Sequence, residues 1–134
     1  MLVVLVILGL AGALLLARGP ARSAGLEARA AASEIVQTLR LGRSRAIATN
    51  RPVLVRLGLR THRLSLDGVA RPALPSFITL AAVMADGTVP AGVAVFVFAP
   101  DGSASGGRVA LESGGRRIAM TVDWLTGRIG LDAH

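Results

Sequence analysis

Three hydrophobic periods follow one another along the chain. The first is no period at all: residues 1–17, MLVVLVILGLAGALLLA, are uncharged and almost uniformly apolar. A helix of that length rises roughly 25 Å, a little short of a bilayer hydrocarbon core of about 30 Å. Apolarity around the whole circumference suits lipid or a filament interior better than one face of a small domain. The expectation is a membrane or filament-core helix over residues 1–20. Leu2, Val3, Val4, Leu5, Val6, Ile7 and Leu8 form its first two turns, and Leu10, Leu14, Leu15 and Leu16 continue it. A few more apolar residues ahead of Met1 would complete a span. A secretory signal peptide fits less well, since it needs a charged region before its apolar core.

A period near 3.6 comes next. Gly19-Pro20 is expected to break the helix, and residues 21–50 read as a second helical stretch. Ala28, Ala32, Ile35, Leu39, Gly42 and Ala46 alternate spacings of four and three and so share a stripe, while Ser33, Gln37, Arg40 and Ser44 lie opposite. The stripe is made mainly of small residues, which lets a sheet approach closely. It spans too few heptads for a coiled-coil seam, so it reads as a core-facing helix of the domain. Asn50-Arg51-Pro52 stops it, because proline disfavours helical geometry in the residue before it.

From Pro52 the period is two. VLVRL and HRLSL flank GLRT as a hairpin, and Asp67-Gly68 is a turn signal. FITLAAV is a candidate strand and Asp86-Gly87 a candidate turn. VAVFVF at 93–98 is the clearest buried strand, with β-branched and aromatic residues on both faces. RVALE at 108–112 and RIAMTVDW at 117–124 alternate more cleanly; in the latter, Ile118, Met120, Val122 and Trp124 point one way and Arg117, Ala119, Thr121 and Asp123 the other. The pattern predicts an α+β chain, a long N-terminal helix laid on antiparallel β-structure.

Composition narrows the function. About 114 residues follow the first segment, enough for one compact core. Cysteine is absent, which removes disulfides and thiolate chemistry. All 15 basic residues are arginine; without lysine there is no Walker A, Schiff-base or Ser-x-x-Lys chemistry. The net charge of +7 sits in the first half: residues 18–71 carry eleven arginines against Glu27, Glu34 and Asp67, whereas residues 72–134 carry four against five acids. A basic half points to nucleic acid, anionic lipid or an acidic protein neighbour. Arg18, Arg22 and Arg29 sit directly behind the apolar run, where the positive-inside rule alone would keep them in the cytoplasm.

Chemistry-bearing constellations are thin. His62 falls in the hairpin and His134 is the last residue, and neither has a carboxylate at triad or metal spacing. GSASGG is not G-x-S-x-G and reads as a turn. Asp101 lacks the following carboxylates and amides of a calcium loop. The expectation is a non-enzyme without cofactor or metal.

Two stretches carry a resemblance. FVFAPDGSASGGRVAL, with an F-x-P-D-G-x-x-x-G-G turn at Pro100, Asp101, Gly102, Gly106 and Gly107, and IAMTVDWLTGRI, with a V-D-x-x-T-G-R turn at Asp123, Thr126, Gly127 and Arg128, resemble the H-type minor pseudopilins of type II secretion, the GspH/FimT-like branch of the type IV pilin-like superfamily. LRLGRSRAIATNRPVLV is similar to that family's helix end leading into its first strand. The resemblance implies a pilin-like α+β fold divided as residues 1–20, a transmembrane or filament-core helix, and 21–134, a periplasmic domain with its helix at about 21–50 and its β-rich part at about 52–134.

It also implies single-pass residence in the inner membrane, incorporation into a periplasmic pseudopilus with other pseudopilins, and maturation of the full-length precursor by prepilin peptidase. The family's basic leader, cleavage glycine and following Phe and Glu would precede a run like MLVVLVILGL, so the expectation is that this sequence starts at an internal methionine of the native precursor. The alternative is a minor pilin of a type IV pilus or DNA-uptake system, with DNA as a partner of the basic half. A chain with no tyrosine, one tryptophan and three phenylalanines offers little platform for stacking single strands.

Overall fold

The computed structural model describes residues 2–85 and 92–133, and of residues 13–25 the helical backbone alone. One helix, α1, runs from Leu2 to Thr49. The expected break at Gly19-Pro20 is absent. Pro20 forfeits one backbone donor, and the helix continues through the alanine-, leucine- and arginine-rich turns on both sides of it. Among the described residues no helix is long and apolar enough to cross a membrane. The apolar stretch whose side chains are described, Leu2–Gly12, spans roughly 16 Å, about half a hydrocarbon core.

The predicted stripe is the buried face of α1: Ala28, Ala32, Ile35, Leu39, Gly42 and Ala46 are all buried, and Ser33, Gln37, Arg40 and Ser44 are exposed. Small residues matter here as expected. A Cβ on Gly42 would stand 2.9 Å from Val55 Cγ2 and 3.3 Å from Phe98 Cδ2, so helix and sheet touch at van der Waals range there. The helix ends in more than a proline stop. Asn50 adopts φ 54° and the Arg51 N–H bonds the Ala46 carbonyl at 3.3 Å, which closes the last turn with a left-handed cap.

Among the described residues eight strands follow: β1 Val53–Gly58, β2 Leu64–Leu66, β3 Val69–Ala70, β4 Thr79–Met84, β5 Val93–Phe98, β6 Gly107–Ser113, β7 Arg116–Val122 and β8 Ile129–Ala133. They form two antiparallel four-stranded sheets, ordered β3-β2-β1-β5 and β4-β6-β7-β8. Asp67 and Gly68, both at positive φ, make the two-residue turn that joins β2 to β3. The Asp86-Gly87 turn lies outside the described residues, as does His134.

Both sheets close over α1 on one core in which Ile35 and Leu39 meet Val55, Phe96, Phe98, Leu111 and Met120. Three expectations change. VAVFVF is the edge strand of its sheet, so only Ala94, Phe96 and Phe98 are fully buried and the intervening valines are half-buried. Trp124 does not continue the inward row of Ile118, Met120 and Val122; β7 ends at Val122 and the indole is 64% exposed. Ala119, on the other face, is nonetheless buried, being a small residue on an inner strand between Ala110 and Asp132.

Candidate functional site

The motifs at 98–107 and 123–128 lie far apart in sequence but form one structure. The first begins as β5 leaves its sheet. Ala99 N–H bonds the Ser103 carbonyl at 2.9 Å, and Gly102 N–H bonds the Ala99 carbonyl at 3.0 Å. Asp101 Oδ1 accepts from the Ser103 hydroxyl at 2.6 Å and the Ser103 N–H at 3.0 Å. Ser105 then returns to β5: its N–H bonds the Val97 carbonyl at 2.9 Å and its hydroxyl accepts from Val97 N–H at 3.1 Å. Each serine of GSASGG thus holds the turn, as its composition predicts.

The second motif is the β7–β8 loop. Asp123 Oδ1 accepts from Leu125 N–H at 2.8 Å and Thr126 N–H at 3.3 Å, and the Thr126 hydroxyl accepts from Arg128 N–H at 3.3 Å. Gly127 N–H bonds the Asp123 carbonyl at 2.8 Å, and Asp123 N–H bonds the Arg128 carbonyl at 2.9 Å. The side chains of the V-D-x-x-T-G-R motif therefore satisfy the loop's own backbone, the usual role of Asp and Thr in such turns.

Arg43 joins the two. From the half-buried flank of α1 its Nε donates to the Gly102 carbonyl and to the Thr126 carbonyl, each at 3.2 Å. Gly102 and Gly127 are both buried where the turns meet. Ala104 N–H adds a backbone bond to the Trp124 carbonyl at 3.0 Å. Arg40 and Arg45 on the same helix are exposed, whereas Arg43 is the clamp on both turns. No local signal marks that difference.

Of the remaining predicted positions, Gly106 is buried against Trp124 and Ala85, and Gly107 opens β6 against Phe96 and Met84. Pro100 is half-buried, while Asp101, Asp123, Thr126 and Arg128 are exposed. Leu2, Val3, Val4, Leu5, Val6, Ile7, Leu8 and Leu10 are all exposed on the helical arm. The side chains of Leu14, Leu15 and Leu16 lie outside the described residues.

The two Ser103 bonds, the hydroxyl's first, hold the Asp101 carboxyl below its ordinary pKa. A lowered folded value means that the ionised group stabilises the turn above the unfolded pKa of about 3.9, and that this contribution is lost as pH falls through the folded value. Acid titration of stability should therefore show a shallower loss below about pH 4 for Asp101→Asn than for the wild type. Equal slopes in urea melts across that range would contradict it.

Beside the clamp, Arg40, Arg43 and Ser44 of α1 face Gly127, Arg128 and Ile129 across a cleft of about 450 Å³. His62 has a structural part: Nε2 pairs with the Ile78 carbonyl at 2.9 Å, and its own carbonyl accepts from Leu74 N–H at 3.0 Å. Among the described residues no group of three or more His, Asp or Glu is placed to hold a metal ion.

This helix, two-sheet core and paired turns match known proteins. The family model described as type II transport protein GspH matches residues 31–127, from the buried helix stripe through both turns. The chain belongs to the GspH family. No curated protein matches it in sequence. Among solved structures, the minor pseudopilin EpsH from the type 2 secretion system of Vibrio cholerae is similar with a TM-score of 0.62 at 18% identity, covering 80% of this chain and 97% of that one. The type IV minor pilin FimU of Pseudomonas aeruginosa is similar with a TM-score of 0.59 at 18% identity, covering 79% of this chain and 88% of that one. At such identities the likeness shows the fold: this GspH-family chain has the pilin-like α+β architecture of both.

Proposed function

We propose that this chain is a minor pseudopilin, a structural rather than catalytic subunit of a type II secretion pseudopilus. In this reading residues 1–20 form the membrane and filament-core segment and residues 21–134 the periplasmic domain. The subunit waits in the inner membrane, its precursor is matured by prepilin peptidase, and it then joins other pseudopilins in a filament that helps move folded proteins across the outer membrane. The observation that carries the reading is the GspH match over residues 31–127, which takes in the helix–sheet junction and both turns.

The exposed arm supports it physically. Leu2 to Leu10 are exposed and apolar on every side of the helix. Such a surface can exchange lipid for neighbouring helices without meeting water, so entry into a filament leaves its solvation almost unchanged. A second reading, a minor pilin of a type IV pilus, is favoured by the fold shared with FimU.

Leu5→Glu with Leu8→Glu should abolish incorporation into the filament and leave the unfolding midpoint of the domain unchanged, because neither side chain packs on it. The readout is co-purification with the other filament subunits, alongside urea melts. Deletion of the gene separates the two systems: export of folded proteins to the medium should stop while surface pili persist. Lost pili with intact export would overturn the secretion reading in favour of the pilus.

A further inference from the structure

Strand β8 ends its sheet, with β7 on one side and, among the described residues, no strand on the other. The bond from Asp123 N–H to the Arg128 carbonyl and the register Val122↔Ile129, Thr121↔Gly130 and Met120↔Leu131 decide which backbone groups face outward. Pairs alternate between bonded and non-bonded in an antiparallel ladder, so Gly130 bonds inward to β7 while the N–H and C=O of Ile129 and Leu131 point to the open edge. Leu131 is 56% exposed and Gly130 is exposed. No proline interrupts this edge, and Asp132 is the one charged residue of β8.

Charge marks its entrance. The cleft where β8 begins is lined by Arg40, Arg43 and Arg128 with Ser44, Gly127 and Ile129, and among the described residues no acid lines it. The ion pairs among the described residues engage Arg51, Arg71 and Arg117, leaving Arg40 and Arg128 without a carboxylate partner there. An open β-edge that starts between unpaired guanidinium groups fits an extended peptide, whose backbone completes the ladder and whose carboxylates meet the arginines.

We propose that the β8 edge, with Arg40 and Arg128 at its entrance, is the docking site for an extended acidic segment of a neighbouring protein subunit. Duplex DNA matches the charge but not the edge: it has no N–H and C=O ladder to pair with Ile129 and Leu131. The assignment rests on the filament reading for the partner's identity alone.

The test uses the full chain in detergent micelles near physiological salt, with a blocked octapeptide alternating threonine and glutamate as probe, its lysine counterpart, and a short DNA duplex. The glutamate peptide binds and the lysine peptide does not. Arg40→Glu with Arg128→Glu weakens the glutamate peptide by about tenfold or more and gains affinity for the lysine peptide, a swap that misfolding cannot produce. Leu131→Pro, which removes one outward N–H and leaves the β7 pairing intact, weakens binding comparably.

Equal binding of both peptides, no response to the charge reversal, no response to Leu131→Pro, or displacement of the peptide by duplex DNA at lower concentration overturns the proposal. Co-purification with the filament subunits runs in parallel. A wild-type chain that enters filaments yet binds no acidic peptide defeats this proposal and leaves the filament reading standing. One that binds the peptide yet never enters a filament does the reverse.

Discussion

Gly127→Val should destabilise the chain by about 4 kcal/mol, the largest loss expected from any single turn substitution. Two costs combine. Gly127 has φ +68°, a conformation that costs an L-residue roughly 1–2 kcal/mol and a β-branched one more. A Cβ there would also collide with the Gly102 carbonyl oxygen and stand 2.9 Å from Arg43 Nε. Neither neighbour can retreat, since the carbonyl is main chain and Arg43 is bonded to it. Gly114→Val is the control: φ is +56° but a Cβ would have open space around it, so the backbone cost alone remains, about 1–2 kcal/mol. Urea unfolding of the two variants measures the difference. A Gly127→Val loss no greater than that of Gly114→Val would mean that the two turns are not in contact.

Arg43→Met should cost about 2 kcal/mol and loosen both turns together, whereas Arg40→Met should stay within about 0.5 kcal/mol of the wild type. Methionine keeps the apolar stem and removes the donor, so the loss reports the two bonds to the Gly102 and Thr126 carbonyls. Bonds from a charged donor contribute roughly 1.5–3 kcal/mol, and sharing one N–H between two acceptors at 3.2 Å puts the pair toward the low end. Hydrogen exchange gives the sharper readout. The amides of Gly102, Leu125, Thr126 and Gly127 should lose protection in Arg43→Met and retain it in Arg40→Met. Loss of protection confined to one turn would show that Arg43 serves that turn alone.

Much of this fold was legible because its signals are local. The small-residue stripe from Ala28 to Ala46, the Asp67-Gly68 turn, the alternation in β6 and β7 and the self-satisfying Asp101 and Asp123 turns each depend on residues within a few positions of one another. Local periodicity and turn chemistry act at that range. The apolar arm was equally plain, since a run without polar residues needs no tertiary context to be seen.

The misreadings share the opposite property. A local rule makes Pro20 a helix stop, because it cannot weigh one lost donor against the helical segments on both sides. The alternation places Trp124 on the face of Ile118, Met120 and Val122 only if it is extended past the residue where Asp123 turns the chain. β8 carries little local signal, because five residues containing Gly130 give little alternation and β7 supplies the pairing that makes them a strand.

The sequence by itself determined which faces are apolar, where the chain turns, and that its positive charge is concentrated in the first half. The tertiary structure alone decided which arginine is a clamp and which strands become sheet edges. Arg43 meets acceptors 59 and 83 positions away. β5 and β8 become edges through the order in which strands pair, and that order is settled by burial against α1 across the whole domain, beyond the reach of any local pattern.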